Sequence, residues 1–157
     1  MLKSLFKNHS PHFFLTEDET AKLSQRVSSF EAKTTCELVF HFRRRLGKEP
    51  LKKNEELFYK FGLEKTKHRN AILITLALSD RQFAIWADEG VIRHTGDALW
   101  VRVTELMSHL LKNGKRLQAL MAAIDETEAV LFKEQPHYLG EATSNEISNA
   151  PIIDDDN

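Results

Sequence analysis

The part of the sequence that most restricts the fold is a pair of apolar runs near its centre. Residues 71–78 form a run that is too short for a membrane span and is typical of a strand buried on both faces. Ser79-Asp80 is a two-residue turn signal, and a second apolar run follows at residues 81–87. The two runs predict an antiparallel β-hairpin, which ends at a loop formed by Asp88-Glu89-Gly90. The predicted buried residues of this hairpin are Ile72, Ile74, Leu76, Phe83 and Ile85.

The segments around the hairpin predict one further strand and four helices. Thr16 with Glu19 three residues later is a capping box, which indicates a first helix that ends near Lys33. Residues 36–43 alternate as a strand, and a helix closed by Gly62 separates them from the hairpin. This strand, helix, strand order predicts parallel strands joined by a right-handed crossover. Two amphipathic helices follow, so we expect a three-layer α/β/α sandwich around a small mixed sheet that contains the hairpin.

Length and charge predict one domain with an acidic tail. The chain has 157 residues, of which 41% are hydrophobic and 29% charged, as in soluble globular proteins. Residues 1–132 hold 21 Lys and Arg against 17 Asp and Glu, giving +4, whereas residues 133–157 hold one Lys against six acids, giving -5. We expect an N-terminal arm at 1–15, a domain at 16–132, and an acidic, mostly disordered tail at 133–157.

The location and the role of the single cysteine are also predicted. No signal peptide or membrane span is recognisable, which predicts a cytoplasmic protein. Cys36 is the only cysteine, so an internal disulfide and a multi-cysteine metal site are excluded. Its position predicts a small buried side chain at the start of the first strand.

The order of these motifs resembles the TPM domain family over about residues 16–132. The succession is CELVF, a helix ending in FG, HRNAILITLAL, DRQFAIWADEG, GDALW and two closing helices. The family takes in thylakoid-lumen proteins linked to photosystem II repair, an auxiliary subunit of a nematode acetylcholine receptor, and many bacterial proteins. This chain is most similar to the short stand-alone bacterial members. These often carry an N-E-L-P-like tail, which Asn145-Glu146-Ile147 matches only in part.

The resemblance implies an α/β/α sandwich, with divalent-cation binding and weak phosphatase activity attributed to some plant members. Two departures argue against transferring that activity. The sequence has no signal or anchor, although many relatives are exported or anchored, and its hairpin exit is Ala87-Asp88-Glu89-Gly90 rather than the commoner glycine-aromatic-glycine.

The predicted topology brings acidic residues to one edge of the sheet. If the first two strands are parallel and the third runs back, Glu37, Asn70 and Asp88 lie at the same edge, and Glu89 and Asp97 follow closely. Carboxylate and amide oxygens are ligands that Ca²⁺ or Mg²⁺ prefers, and a cation would relieve repulsion between the acids. The candidate metal ligands are therefore Glu37, Asp88, Glu89 and Asp97, with Asn70 and Arg69 as candidate binding residues beside them.

The alternative interpretation of these acids is purely structural. In it Glu37 pairs with Arg69, Asp97 caps the following helix, and Asp88 and Glu89 are solvated. Spacing alone does not decide between the two interpretations.

A basic patch is predicted at the opposite edge, where the parallel strands end. Open α/β sheets usually bind ligands at this edge, so the patch suits phosphates or an acidic partner, and the acidic tail has the charge to cover it in cis. Nucleic acid is disfavoured, because no aromatic residues are interleaved with the cations. The patch consists of Arg43, Arg44, Arg45, Lys48, Lys52 and Lys53.

Sequence motifs for catalysis are missing. There is no G-x-G-x-x-G, no G-x-x-x-x-G-K-[ST], no G-x-S-x-G and no H-E-x-x-H. We therefore favour a binding or adaptor module that engages another protein, with a Ca²⁺ or Mg²⁺ ion at the acidic edge as an accompanying hypothesis. A weak metal-dependent phosphatase is the first alternative. Anion or nucleic-acid binding through the basic patch is the second.

Overall fold

A mixed four-stranded sheet forms the middle layer of the molecule. The computed structural model describes residues 10–134 and 148–156. The strands are β1 (Glu37–Arg43), β2 (Ala71–Ala77), β3 (Gln82–Ala87) and β4 (Ile152–Ile153), arranged in the order β3-β2-β1-β4. Strand β2 is parallel to β1 and antiparallel to β3, as predicted. Strand β4 adds to the other edge of β1 in the parallel direction.

Helices cover both faces of the sheet, which confirms the predicted sandwich. Within the described residues the five α-helices are α1 (Glu17–Glu31), α2 (Pro50–Lys60), α3 (Glu89–Thr95), α4 (Ala98–Lys112) and α5 (Arg116–Glu134). Ile72, Ile74 and Leu76 of β2 pack in one hydrophobic cluster with α1, α3, α4 and α5. Leu73 and Ala77, which point to the other face, pack with α2.

The predicted burial is confirmed for β2 but only in part for β3. Ile72, Ile74 and Leu76 are at most 2% exposed. Phe83 and Ile85 are only half-buried, because β3 is the last strand on its side of the sheet.

The predicted helix caps are present in the structure. The Thr16 side chain accepts a hydrogen bond from the Glu19 backbone, and the Glu19 side chain accepts one from the Thr16 backbone. Helix α2 is followed by Gly62 with φ of +70°, a conformation that glycine adopts without strain. Cys36 is buried immediately before β1, as expected.

Two connections differ from the sequence predictions. The hairpin turn spans residues 78–81 rather than two residues, because Ala77 pairs with Gln82. The segment after β3 is not a loop, since Asp88 caps the short helix α3 by accepting from the Glu89 backbone nitrogen. A carboxylate at this position stabilises the first turn of a helix, which offsets the weak helix propensity of Gly90.

The two ends of the chain pack against the domain where they are described. Before α1, residues Pro11–Phe13 form a 3-10 turn, and Phe14 and Leu15 are buried. Residues 148–156 belong to the segment that we expected to be mostly disordered, yet they include β4 and several ion pairs. Asn145-Glu146-Ile147 and the rest of 135–147 lie outside the described residues. Across the described parts of the chain, no helix is long and apolar enough to cross a membrane.

Candidate functional site

The acidic edge of the sheet has the geometry that the topology predicts. The Glu37 backbone nitrogen donates to the Asn70 carbonyl oxygen at 3.1 Å, and the Asp88 nitrogen donates to the Ala71 carbonyl oxygen at 3.0 Å. These bonds place Glu37, Asn70 and Asp88 at one edge, where β1 and β2 begin and β3 ends.

The charge of Asp88 is compensated by Arg69. The Arg69 Nε atom donates to Asp88 Oδ2 at 2.7 Å and Nη2 donates to Oδ1 at 2.8 Å, a bidentate arrangement. Asp88 is only 3% exposed, and its Oδ1 atom also accepts from the Glu89 nitrogen at 2.9 Å. Arg69 Nη1 lies 3.6 Å from Glu89 Oε1. Asp88 is therefore a buried, paired cap rather than a solvated residue, and Arg69 pairs with it rather than with Glu37.

The remaining acidic-edge residues have separate surroundings. Glu37 is buried, whereas Asp97 is exposed at the start of α4 and makes no side-chain capping bond. The Asn70 side chain donates to the carbonyl oxygen of Thr35. Among the residues that the structure describes, no three His, Cys, Asp or Glu side chains form a group suited to a metal ion. Glu37 and Asp88 thus share one edge, whereas Asp97 lines a cleft beside Phe83 and Ile85 of β3, and the predicted ligands do not form a single set.

The glycine of the D-E-G motif has a packing role at this edge. A Cβ atom on Gly90 would lie 2.3 Å from the carbonyl oxygen of His68 and 2.6 Å from that of Arg69. The Gly90 nitrogen donates to the same Arg69 oxygen at 2.8 Å. Only glycine permits this approach of two backbones, so the motif joins α3 to the segment that carries Arg69.

The opposite edge contains a loop that binds a carboxylate through its backbone. Residues 43–47 are termed the basic loop. The Asp156 carboxylate accepts from the backbone nitrogens of Arg44 at 2.6 Å and Arg45 at 3.0 Å. It also accepts from Nε and Nη2 of Arg43, each at 3.3 Å. Successive backbone N–H groups beside a guanidinium are well suited to hold an anion.

A second carboxylate also binds the backbone of the basic loop. Asp80, from the turn between β2 and β3, accepts from the nitrogens of Leu46 at 2.9 Å and Gly47 at 3.0 Å. The hydrogen bond from Gly47 is the main reason that the pKa of Asp80 is lowered. Four consecutive backbone nitrogens, those of residues 44–47, are therefore directed at two carboxylates. Lys48 is exposed beyond the loop, and the loop itself lines a cleft of about 570 Å³ together with Lys53 and Asp156.

All three terminal aspartates contact the domain. Asp154 Oδ2 lies 3.3 Å from Arg43 Nη1 and 3.4 Å from His41 Nε2. Asp155 lies 2.7 Å from His12 at the surface. With Asp156 in the basic loop, the C-terminal segment (residues 148–156) pairs with Arg43 at the end of the predicted patch, whereas the side chains of Arg44, Arg45 and Lys48 are exposed.

Arg43 and His41 form the buried floor of this site. Arg43 is 9% exposed and His41 is fully buried. The His41 Nδ1 atom lies 3.1 Å from Thr75 Oγ1, which in turn donates to Asn54 Oδ1 at 2.6 Å. Burial lowers the pKa of His41 to about 4, so the ring is neutral near pH 7. Sequence analysis missed this network, because a His, a Thr and an Asn on three elements leave no spacing pattern.

Comparison with known proteins identifies the family. The model of the TPM domain matches residues 11–130, which is most of the chain. The chain belongs to the TPM domain family. Its similarity to the short stand-alone bacterial type, expected from the motifs, agrees with the bacterial structures that share its fold. No curated protein matches the sequence.

Three solved bacterial structures share the fold of this TPM domain. The BA42 protein of the psychrophilic bacterium Bizionia argentinensis is 22% identical, with a TM-score of 0.81 over 90% of this chain and 96% of that chain. The N-terminal domain of a protein from P. gingivalis is 18% identical, with a TM-score of 0.68 over 82% of this chain and 83% of that chain. An N-terminal domain from Corynebacterium glutamicum is 11% identical, with a TM-score of 0.62 over 85% of this chain and 82% of that chain. At these identities the likeness concerns the fold alone.

Proposed function

We propose that this TPM domain is a binding module whose ligand is an acidic segment of another protein, held by the basic loop. In this proposal the chain's own C-terminal segment occupies the site in cis until a partner displaces it. The observation that carries the proposal is the position of Asp156, whose carboxylate accepts from two backbone nitrogens and the Arg43 guanidinium.

The basic loop binds an anion through the fixed positions of its hydrogen-bond donors as well as through charge. Backbone N–H groups are fixed by β1 and the loop, so they lose little freedom when an anion binds. Arg43 is buried between Asp154 and Asp156, and a buried cation is costly without an anionic partner. A partner that displaces the C-terminal segment must therefore bring anionic groups of its own, which the carboxylates of an acidic segment supply.

The strand pairing indicates an extended ligand. Ile152 and Ile153 of β4 pair with His41 and Phe42 of β1, and the aspartates follow directly. Addition of a strand to a sheet edge supplies affinity through the backbone, while side chains supply specificity. A partner segment with two β-branched residues before several acids would make the same contacts.

The phosphatase alternative receives less support from the geometry. That alternative uses the acidic edge, where the Asp88 carboxylate is already paired with Arg69. Phosphatase chemistry needs positioned metal ions together with a nucleophile or an activated water. Among the described residues, no three His, Cys, Asp or Glu side chains form a group suited to a metal ion.

Binding of a tail peptide in trans tests the proposal. A fluorescent peptide with the sequence of residues 148–157 is titrated with the intact chain and with a chain that ends at residue 147. We expect the peptide to bind the shortened chain. The intact chain should bind it poorly, because its own segment competes at an effective concentration of about 1 mM. Binding should weaken with salt, since it depends on partly exposed charges.

The matched control is the same peptide with its three aspartates replaced by asparagine, which should not bind. A variant of full length, Asp154→Ala with Asp156→Ala, serves if the shortened chain does not fold. The proposal is contradicted if a folded chain with an open site fails to bind the peptide, or if the asparagine peptide binds equally well.

A further inference from the structure

A cavity near the end of β2 is separate from the basic loop. It has a volume of about 520 Å³ and lies between the end of β2, the turn before β3, the last turn of α4 and the first turn of α5. The described part of the C-terminal segment contributes none of its lining residues. A volume of this size is in the range that holds a small organic ligand.

Three cations line the cavity, and none of its described lining residues is acidic. They are Arg81, Lys112 and Arg116. Arg81 and Lys112 are exposed, and neither is ion-paired with an acid within the described residues. The partial positive charge at the start of α5 is offset by the partial negative charge at the end of α4, so the side-chain cations carry the attraction. Like charges around one cavity repel one another, and a bound anion relieves that repulsion.

The position of Arg116 is fixed by an aromatic residue. Its guanidinium carbon lies 5.2 Å from the centre of the Phe14 ring, and Nη1 donates to the Phe14 carbonyl oxygen at 3.2 Å. Phe14 is itself buried, with its ring centre 4.8 Å from that of Phe42. A guanidinium held in this manner is prepared to receive a ligand, because it has little side-chain freedom left to lose.

The rest of the lining is largely apolar. Leu76 and Phe14 are buried at the base of the cavity, and Phe83 and Leu111 are half-buried on its sides. An inorganic anion would leave these side chains against water. A ligand with an apolar body would cover them while its charged group reached the cations at the rim.

We propose that this cavity binds a small organic anion with an apolar body, such as a medium-chain carboxylate. The charged group lies against Arg81, Lys112 and Arg116, and the chain lies against Leu76, Phe83 and Leu111. This site is independent of the basic loop, because it uses other residues and takes a small molecule rather than an acidic peptide.

An NMR titration of the intact protein with octanoate tests this proposal. We expect saturable shifts of the backbone amides of Gln82, Leu111 and Gly114. Acetate supplies the charge without the chain, and 1-octanol supplies the chain without the charge, so each should bind at least about tenfold more weakly. The amides of Arg44 and Arg45 should not move, which separates this site from the basic loop.

The variant Arg81→Asn with Lys112→Gln should weaken octanoate binding about tenfold through the loss of two charge-assisted contacts. Asparagine is chosen because residue 81 has φ of +53°, which asparagine tolerates. Lys60→Gln with Lys67→Gln removes the same charge from exposed positions elsewhere and should leave binding unchanged. A single Lys112→Glu variant supplies a second test if the double variant is unstable. The proposal is overturned if octanoate does not saturate these amides, if acetate binds as well, or if the cavity variant binds normally.

Discussion

The Asp156 carboxylate lies 2.6 Å from the backbone nitrogen of Arg44, although 112 positions separate the two residues. The same carboxylate reaches Arg45 and Arg43, so one side chain near the end of the chain binds the loop at the end of β1. This contact connects the acidic end of the sequence to its basic patch. It also gives the proposed binding function a defined group with which a partner must compete.

The first prediction concerns the stability that this contact provides. Asp156→Ala should lower the free energy of unfolding by about 1–3 kcal/mol, because hydrogen bonds to a charged group are lost and Arg43 loses an anionic partner. Urea denaturation at low salt measures the change. Asp155→Ala is the control, since the Asp155 side chain contacts only exposed His12 among the described residues and should cost little. Equal effects of the two substitutions would contradict the account.

The second prediction concerns the D-E-G motif. Gly90→Ala should destabilise the protein by about 2–4 kcal/mol, because the added methyl group would meet the carbonyl oxygens of His68 and Arg69 and the two backbones would have to separate. Gly47→Ala is the comparison, since the added methyl there meets no atom within 4 Å and only the φ of +84° is unfavourable. Its expected cost is about 1 kcal/mol. Thermal denaturation measures the loss of stability in both variants. A Gly90→Ala protein that is no less stable than Gly47→Ala would refute the packing role.

The third prediction concerns Glu31, whose carboxylate accepts from the Leu38 nitrogen of β1. Burial raises its pKa from 4.5 to about 7, with nearby Glu37 acting in the same direction. The folded state therefore holds the proton more tightly than the unfolded state. The resulting stabilisation is complete below pH 4.5 and is lost as the pH rises through about 7.

Glu31→Gln keeps the acceptor oxygen without the charge. The free energy of unfolding of this variant should match that of the native protein at about pH 4.5 and exceed it by about 1–2 kcal/mol at about pH 8.5. Melting temperatures across this range measure the difference, with exposed Glu105→Gln as the control. Comparison at each pH is needed, because His41 has the opposite effect: its pKa of about 4 removes stability as the pH falls from 6.5 to about 4. A pH-independent effect of Glu31→Gln would contradict this assignment.

The fourth prediction concerns the cation that the sequence suggested at the acidic edge. Ca²⁺ would have to compete with Arg69 for the Asp88 and Glu89 carboxylates. We expect millimolar Ca²⁺ to raise the melting temperature more in Arg69→Asn than in the native chain, because the variant frees both acids. Asparagine tolerates the φ of +52° at this position. A large Ca²⁺ effect in the native chain that Asp88→Asn abolishes would instead show that the ion displaces Arg69.

Local signals in the sequence predicted most of the fold. The alternation and apolar content of β1 and β2, the Thr16 capping box and Gly62 are all properties of neighbouring residues, so they were visible without a structure. The four-residue turn was missed because the residue type of Arg81 does not reveal its positive φ. Helix α3 was missed because adjacent acids and a glycine are more typical of a loop, although the Asp88 side chain caps the helix.

The candidate site depended on contacts between distant residues, and sequence reasoning was correspondingly weaker there. Strand order placed Glu37, Asn70 and Asp88 at one edge, but it did not show which acid forms an ion pair with Arg69. Strand β4 has two residues, too few for any periodicity, and nothing near Asp80 or Asp156 in the sequence reveals that both bind the basic loop. Only the opposite charges of the patch and the tail pointed to that contact.

The backbone amides of Arg44 and Arg45 give the most direct test that Asp156 occupies the basic loop as a replaceable ligand. Their NMR shifts and hydrogen-exchange rates are compared in the native chain, in Asp156→Ala and in Asp155→Ala. The account predicts upfield shifts and faster exchange at both amides in Asp156→Ala only, and recovery when the 148–157 peptide is added in trans. Identical amides in the native chain and Asp156→Ala, or no response to the peptide, would contradict it.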